Sequence, residues 1–236
     1  MLDHSFKAMI LAAGRGERMR PLTDTLPKPL LRAGNRMLIE YHLQNLARAG
    51  FMDIVINHAY LGYKIESALG DGQRYGLTIT YSKETTILET AGGIANALPL
   101  LTNLSASQPF LVINADIFCQ MDYRTLLAVL QRFQTNPDGD LAHLILVDNP
   151  SHHPDGDFFL KQGRLAASGH HRLTFSGIGV YHPTLFNQVV PGIATKLSPL
   201  LRQVITSDKA SGEYYPGMWM DIGTPERLQL LNAQLL

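Results

Sequence analysis

The regular alternation of short apolar runs with amphipathic segments most constrains how this chain can fold. The apolar runs predict strands at residues 7–12, 53–57, 78–82, 110–114, 141–148 and 174–181, with shorter ones at 157–161 and 218–221. Helical spacing of apolar residues predicts helices at 37–49, 61–69, 91–98, 123–134, 197–205 and 225–235. Such alternation favours an α/β fold with a Rossmann-like, mostly parallel sheet, helices on both faces, and ligands at the carboxyl ends of the strands. Gln162-Gly163 predicts the turn of a small β-hairpin excursion over the functional site.

A glycine-rich loop directly follows the first predicted strand. Residues 11–23 read LAAGRGERMRPLT, and PKPL follows at 27–30. Glycine permits positive φ and a close approach of backbone N–H groups to phosphate oxygens, and nearby positive charge comes from Arg15, Arg18, Arg20 and Lys28. A dinucleotide fingerprint needs a small residue where Met19 stands, and a Walker loop needs a Gly-Lys-Ser/Thr triplet that the chain lacks. We interpret the loop as a cradle for a triphosphate.

These two motifs together resemble the signature of the sugar-1-phosphate nucleotidyltransferases, which make nucleotide sugars. The resemblance covers nearly the whole chain, through LETAGG at 88–93, VINAD at 112–116, FSGI at 175–178 and WMDIGT at 219–224. Residues 147–150, 156–158 and 211–215 most resemble the branch that transfers UMP in peptidoglycan recycling. The resemblance implies one domain over residues 1–236, with a nucleotide-binding half to about residue 116 and a sugar-phosphate-binding half from about residue 117.

The same resemblance implies site residues in both halves. The expected catalytic residues are Arg18, Lys28 and Asp116. The expected nucleotide contacts are Leu11, Ala12, Ala13, Gly14, Gly16, Glu17, Arg18, Lys28, Glu84, Glu89, Thr90 and Gly92. The expected sugar-phosphate contacts are Asn114, Asn149, Asp157 and Gly177. Glu84 is a candidate acceptor for the N3–H of uracil, and fits a plain exposed loop carboxylate equally well. Ala115 and Glu89 stand where the family usually has glycine.

Two aspartates follow separate apolar strands and predict a metal site. Asp116 follows FLVIN and Asp221 follows MWM. Carboxylates at two strand ends can converge on one divalent cation that bridges phosphates, and hard oxygen ligands select Mg²⁺. Each aspartate taken alone also fits a turn cap. Both match the metal positions of the family that the chain resembles, so we expect Mg²⁺ as the cofactor.

The bulk composition limits the partners. Lys+Arg and Asp+Glu both total 20, so the net charge is zero and no basic field favours nucleic acid or an anionic membrane. Cys119 is the only cysteine, which excludes an intramolecular disulfide, and it is interpreted as a small buried hydrophobe. Met1 to His4 lack the basic region of a signal peptide, and no apolar run reaches membrane-spanning length. We therefore expect small-molecule substrates in the cytoplasm, with a monomer and a homodimer both open.

Other hypotheses for the function and for the histidines stay in view. GMP transfer to mannose 1-phosphate keeps the chemistry and changes the substrates. A non-catalytic nucleotide-sugar-binding domain could dispense with Lys28, Asp116 and Asp221, yet all three are present. The pairs at residues 152–153 and 170–171 raise the possibility of a zinc site. Neighbouring residues of a strand point to opposite faces, however, and no ligand spacing recurs, so exposed loop histidines are the preferred interpretation.

Overall fold

The computed structural model describes residues 6–102 and 107–235, so the N-terminal residues that argue against a signal peptide lie outside the described part. Within it, nine strands form one twisted sheet. From one edge to the other they are β5 (Thr78–Lys83), β4 (Asp53–His58), β1 (Ala8–Leu11), β6 (Phe110–Asn114), β11 (Arg172–Tyr181), β8 (Ala142–Val147), β12 (Ala210–Tyr214), β10 (Arg164–Ala166) and β9 (Phe158–Lys161). Strands β5, β4, β1 and β6 run parallel, as the alternating pattern predicts. The carboxyl ends of these four strands therefore meet at one edge.

The second half of the sheet is mixed. Strand β11 lies antiparallel to both β6 and β8, and β12 runs parallel to β8. The predicted hairpin forms, because Gln162 and Gly163 take φ of 50° and 76° in the turn between β9 and β10. It extends the sheet beyond β12 and pairs with the start of β11, and none of its residues lines the cleft described below. The expectation that it lies over the functional site is therefore corrected.

Six α-helices occur among the described residues, close to the predicted positions. They are α1 (Leu38–Ala49), α2 (Gly62–Leu69), α3 (Glu89–Leu101), α4 (Thr125–Thr135), α5 (Leu197–Thr206) and α6 (Pro225–Gln234). Helices α1, α2 and α4 pack on one face of the sheet, and α3 and α5 pack on the other. Helix α3 begins before the predicted residue 91. It also continues beyond the predicted end at residue 98, because Pro99 is accommodated inside its last turn.

A third apolar cluster packs beside the edge of the sheet at which the carboxyl ends of the parallel strands meet. Two small sheets stand there within the described residues, one of β7 (Ile117–Cys119) with β13 (Trp219–Asp221) and one of β2 (Arg32–Ala33) with β3 (Arg36–Met37). Met19, Phe118, Ile222 and Leu231 belong to this cluster, which joins the glycine-rich loop to α6. Cys119 is buried in β7 as predicted, and burial raises the pKa of its thiol to about 11.

In residues 6–102 and 107–235, no helix is both long enough and apolar enough to cross a bilayer.

Candidate active site

A cleft of about 570 Å³ opens at the carboxyl ends of β1, β4 and β6. Most of the predicted nucleotide contacts line it: Leu11, Ala12, Ala13, Gly14, Gly16, Glu17, Arg18, Lys28, Glu84, Glu89 and Thr90. Asn114, Ala115 and Asp116 from the end of β6, Asn57 from β4 and Gly223 from the second half complete much of the wall. The sequence therefore identifies most residues that the fold brings together here.

Gly16 is the point at which the glycine-rich loop packs closely against Lys28 of the Pro-Lys-Pro segment. Its φ is +64°, and a side chain there would meet Thr23 at 3.0 Å and Lys28 at 3.3 Å. The Thr23 hydroxyl donates a hydrogen bond of 2.8 Å to the Gly16 carbonyl. Around Gly14, by contrast, the space within 4 Å is open. Gly16 is thus a structural requirement of the loop, whereas Gly14 leaves its backbone accessible from the cleft.

Lys28 is the buried cation of the cleft. Its Nζ donates a hydrogen bond of 2.7 Å to Oδ2 of Asp116, and its side chain is 9% exposed against 43% for the aspartate. Arg15 and Arg18 are exposed and form no ion pair with any described residue. The cleft therefore combines one buried positive charge, paired with Asp116 after β6, with two exposed ones on the loop.

A chain of hydrogen bonds connects the end of β1, the end of β4 and the loop after β5 at the cleft. The backbone N–H of Ala12 donates to Oδ1 of Asn57 over 2.9 Å, and Nδ2 of Asn57 donates to Oε1 of Glu84 over 2.6 Å. Oε2 of Glu84 accepts the N–H of Leu88 over 3.1 Å. Burial of the Glu84 carboxyl raises its pKa. Glu84 is therefore a buried structural carboxylate at the cleft wall, and the alternative of a plain exposed loop carboxylate is wrong.

The two replaced glycines differ in their backbone conformation. Glu89 has a φ of +58°, in the left-handed region that favours glycine. Ala115 does not have a positive φ. Ala115 is 1% exposed and its N–H donates to the Leu11 carbonyl over 3.0 Å. The methyl group of Ala115 is thus accommodated without strain, and Glu89 holds a strained conformation beside the cleft.

Gly92 is not part of the cleft wall. A side chain on Gly92 would meet the Ile193 carbonyl oxygen at 2.4 Å. The N–H groups of Ala91 and Gly92 both donate to the Thr195 carbonyl, over 2.9 and 3.1 Å. The glycine allows the start of α3 to pack against residues 193–195, and its expected contact with the nucleotide stays a prediction.

Asp221 lies next to Asp116 in the fold, but its carboxylate pairs with Arg227, whereas Asp116 pairs with Lys28. The N–H of Ile222 donates to the Asp116 carbonyl over 2.7 Å, so the two strand ends are adjacent. The carboxylate of Asp221 lies 2.9 Å from Nη1 of Arg227 and 2.9 Å from Nε2 of His152. Asp221 does not line the cleft, although Gly223 does. His152 is exposed, as predicted, and it also contacts the Asp221 carboxylate.

Of the predicted sugar contacts, only Asn114 lines the cleft. Gly177, with φ of +82°, lies against Asn114 and leaves room for its amide, which a side chain would meet at 2.7 Å. Asn149 donates to the carbonyls of Pro154 and Arg172 and accepts from the Thr174 hydroxyl, which occupies its side chain within the loop. The remaining three residues thus sit away from the cleft wall, and their contacts with a sugar stay predictions.

Asp157 is also committed to local structure. Its Oδ2 accepts the N–H of Phe175 over 2.8 Å, and its Oδ1 lies 3.1 Å from His153. It borders a second cavity of about 360 Å³ that Arg172 and Arg202 also line.

Two residues at the site escape the sequence motifs. Asn57 ends the predicted strand 53–57, and its only signal is a polar residue after an apolar run. Arg227 lies in the first turn of α6, three residues after the WMDIGT motif, and nothing local marks it as a partner of Asp221. In the described residues, no three His, Cys, Asp or Glu side chains gather as a ready-made metal cage.

Comparison with known proteins agrees with this architecture. The model of the family described as "Nucleotidyl transferase" matches residues 7–154, and the chain belongs to this family. It is 52% identical to an N-acetylmuramate alpha-1-phosphate uridylyltransferase of Neisseria meningitidis serogroup B, over 96% of this chain and 97% of that protein. A mannose-1-phosphate guanyltransferase of Schizosaccharomyces pombe is 30% identical, over 93% of this chain and 61% of its own length.

Solved structures share the fold at low sequence identity. A putative glucose-1-phosphate thymidylyltransferase from Bacillus anthracis, crystallised with a sucrose, superposes with a TM-score of 0.82 at 21% identity, over 97% of this chain and 94% of that one. HddC from Yersinia pseudotuberculosis gives a TM-score of 0.74 at 20% identity, over 98% of this chain and all of that one. These matches show the nucleotidyltransferase fold.

Proposed function

We propose that this chain transfers UMP from UTP to N-acetylmuramate alpha-1-phosphate, forming UDP-N-acetylmuramate and pyrophosphate. The observation that carries the proposal is the 52% identity to the meningococcal uridylyltransferase over nearly the full length of both chains. The cleft supports it with a glycine-rich loop and a buried Lys28 beside Asp116. We further propose that the reaction serves peptidoglycan recycling in the cytoplasm.

The proposed reaction requires positioning and charge neutralisation more than proton transfer. An oxygen of the sugar 1-phosphate attacks the α-phosphorus of UTP, a new P–O bond forms, and the bond to the bridging oxygen of the leaving pyrophosphate breaks with its electron pair. A phosphate monoester has a second pKa of about 6, so the nucleophile is already largely dianionic at neutral pH. A general base is therefore not required, and the site's cations carry the catalytic role.

Each part of the cleft has a place in this reaction. The exposed backbone at Gly14 and the side chain of Arg18 bind the β- and γ-phosphates. Lys28, fixed at the end of β6, stabilises the charge that builds on the α-phosphate oxygens. The buried Asn57–Glu84 pair positions the loop that follows β5, and Glu84 still has acceptor capacity for the N3–H of uracil.

The residues present fit a divalent cation. Asp116 and Asp221 are hard oxygen donors on adjacent strand ends, and Mg²⁺ in phosphate sites commonly takes one or two carboxylates plus substrate oxygens. Two protein carboxylates without a complete cage therefore suit a cation that arrives with phosphates. We propose Mg²⁺, which when bound neutralises phosphate charge during the displacement.

A substrate panel tests the function. Pyrophosphate release is measured with UTP and GTP against N-acetylmuramate, N-acetylglucosamine and mannose 1-phosphates. We expect UTP with N-acetylmuramate 1-phosphate to give the highest kcat/KM. Preference for GTP with mannose 1-phosphate, which the 30% identical guanyltransferase makes the second candidate, would replace the proposal. Absence of turnover with every pair at millimolar Mg²⁺ would favour a non-catalytic binding domain.

A further inference from the structure

Arg227 presents unused hydrogen-bond donors directly behind Gly223, a residue of the cleft wall. Its Nη1 lies 3.0 and 2.9 Å from the two carboxylate oxygens of Asp221, while its Nε is buried and has no hydrogen-bond partner in the described part of the chain. The side chain is only 13% exposed. A guanidinium carries five donors, and buried donors are nearly always satisfied, so a missing acceptor is implied.

Gly223 leaves the space that the guanidinium of Arg227 occupies. A side chain at Gly223 would meet Nη2 of Arg227 at 2.1 Å, so glycine alone allows the guanidinium to lie there. Gly223 itself lines the cleft that holds the glycine-rich loop and Lys28. The Nη2 side of the guanidinium therefore lies directly against a residue of the cleft wall.

The fold also indicates which phosphate Arg227 reaches. The triphosphate cradle is built from residues before Asp116, whereas Arg227, Asp221 and His152 all come from the second half of the chain. Arg227 lies in the first turn of α6, where Thr224 caps the helix and Pro225 begins it, so its backbone is fixed. The Nε–H and an adjacent Nη2–H lie on one edge of the planar guanidinium, and two donors on one edge match two oxygens of a phosphate monoester.

We infer that Arg227 binds the phosphate of the sugar 1-phosphate. Nη1 keeps its contact with Asp221, and the donors that Asp221 does not use bind the oxygens of the acceptor phosphate. The role of Asp221 then includes holding this guanidinium in place, with His152 as a further neighbour. The inference rests on the proposed function in that a sugar 1-phosphate is taken to be the acceptor, but it does not depend on which sugar.

Steady-state kinetics of Arg227→Met and Arg227→Lys test this role. The sugar 1-phosphate that the wild-type enzyme uses best is varied at saturating UTP, and UTP is then varied at saturating acceptor. We expect Arg227→Met to raise the acceptor KM tenfold or more and to leave the UTP KM within twofold. Arg227→Lys should recover part of the loss, because it restores the charge without the fork. Arg18→Met is the matched control and should raise the UTP KM instead.

The result that overturns the inference is an acceptor KM that stays within twofold of wild type in Arg227→Met, or a rise of both KM values together. Gly223→Ala gives an independent variant, because its methyl group must displace the guanidinium while Arg227 remains present. It should raise the acceptor KM as well. If the wild type turns over no pair in the panel, the proposed function fails. In that case, calorimetry measures the Kd of N-acetylmuramate 1-phosphate for the wild type and for Arg227→Met. We expect the variant to bind this acceptor tenfold or more weakly.

Discussion

Replacing Asn57 by alanine should destabilise the protein strongly, because its amide joins two buried groups. The substitution removes the 2.9 Å bond from the Ala12 N–H and the 2.6 Å bond to Glu84. Ala12 is 4% exposed, so its N–H would lose its partner without gaining water. An ordinary hydrogen bond contributes roughly 1 kcal/mol and one to a charged group roughly 2 kcal/mol, which gives a loss of about 3 kcal/mol.

Urea denaturation followed by circular dichroism measures this loss. Asn96→Ala is a suitable control, because Asn96 is half-buried on the neighbouring helix α3 and makes one long bond of 3.4 Å to Ser82. We expect the control to cost below about 1 kcal/mol. If Asn57→Ala costs no more than the control, the hydrogen-bonded chain from Ala12 to Leu88 does not stabilise the cleft, and the reasoning is refuted.

Substitutions at three further positions test the charge, the backbone and the pH dependence. Lys28→Ala should lower kcat about 100-fold with a smaller change in the UTP KM, and a change in KM alone would contradict its role at the α-phosphate. Glu89→Gly should raise the free energy of unfolding by about 1 kcal/mol in urea titrations, because glycine tolerates the φ of +58°, whereas Glu89→Ala should give no gain. Burial lowers the pKa of His42 to about 4 from 6.5, so the stability present above pH 6.5 is lost as the pH falls toward 4. His42→Gln should make that loss shallower, leaving the share of His143, and an unchanged slope would contradict the assignment.

The first half of the fold follows closely from the sequence, because local pattern and tertiary structure agree there. Apolar strands buried on both faces, such as Phe110–Asn114, alternate with amphipathic helices and admit few arrangements. In the second half, the direction of β11 is not encoded in its periodicity, which is the same for parallel and antiparallel strands. Strand β12 was not predicted, because it contains small residues such as Gly212, whose missing side chain allows close approach to the Leu144 carbonyl.

The candidate site likewise contains some residues that the sequence predicts and others that it does not. The glycine-rich loop, Lys28 and Asp116 can be predicted, because their spacing along the chain is diagnostic. Asn57 and Arg227 cannot, because each acts through a contact with a residue that only the fold brings near. For Arg227 that contact depends on the absence of a side chain at Gly223, a glycine of the WMDIGT motif that does not by itself point to Arg227.

The bonding between α3 and residues 193–195 bears on attempts to re-engineer the base preference. The Thr195 carbonyl accepts the N–H groups of Ala91 and Gly92, and its own N–H donates to the Leu88 carbonyl over 2.9 Å. Residues 84–92, where we predict the contacts with the base, are therefore tied to residues 193–195 by three backbone hydrogen bonds. A loop transplanted from a purine-specific relative will need the matching segment at 193–195 in the same graft, because exchange of residues 84–92 alone leaves those three hydrogen bonds without their proper geometry.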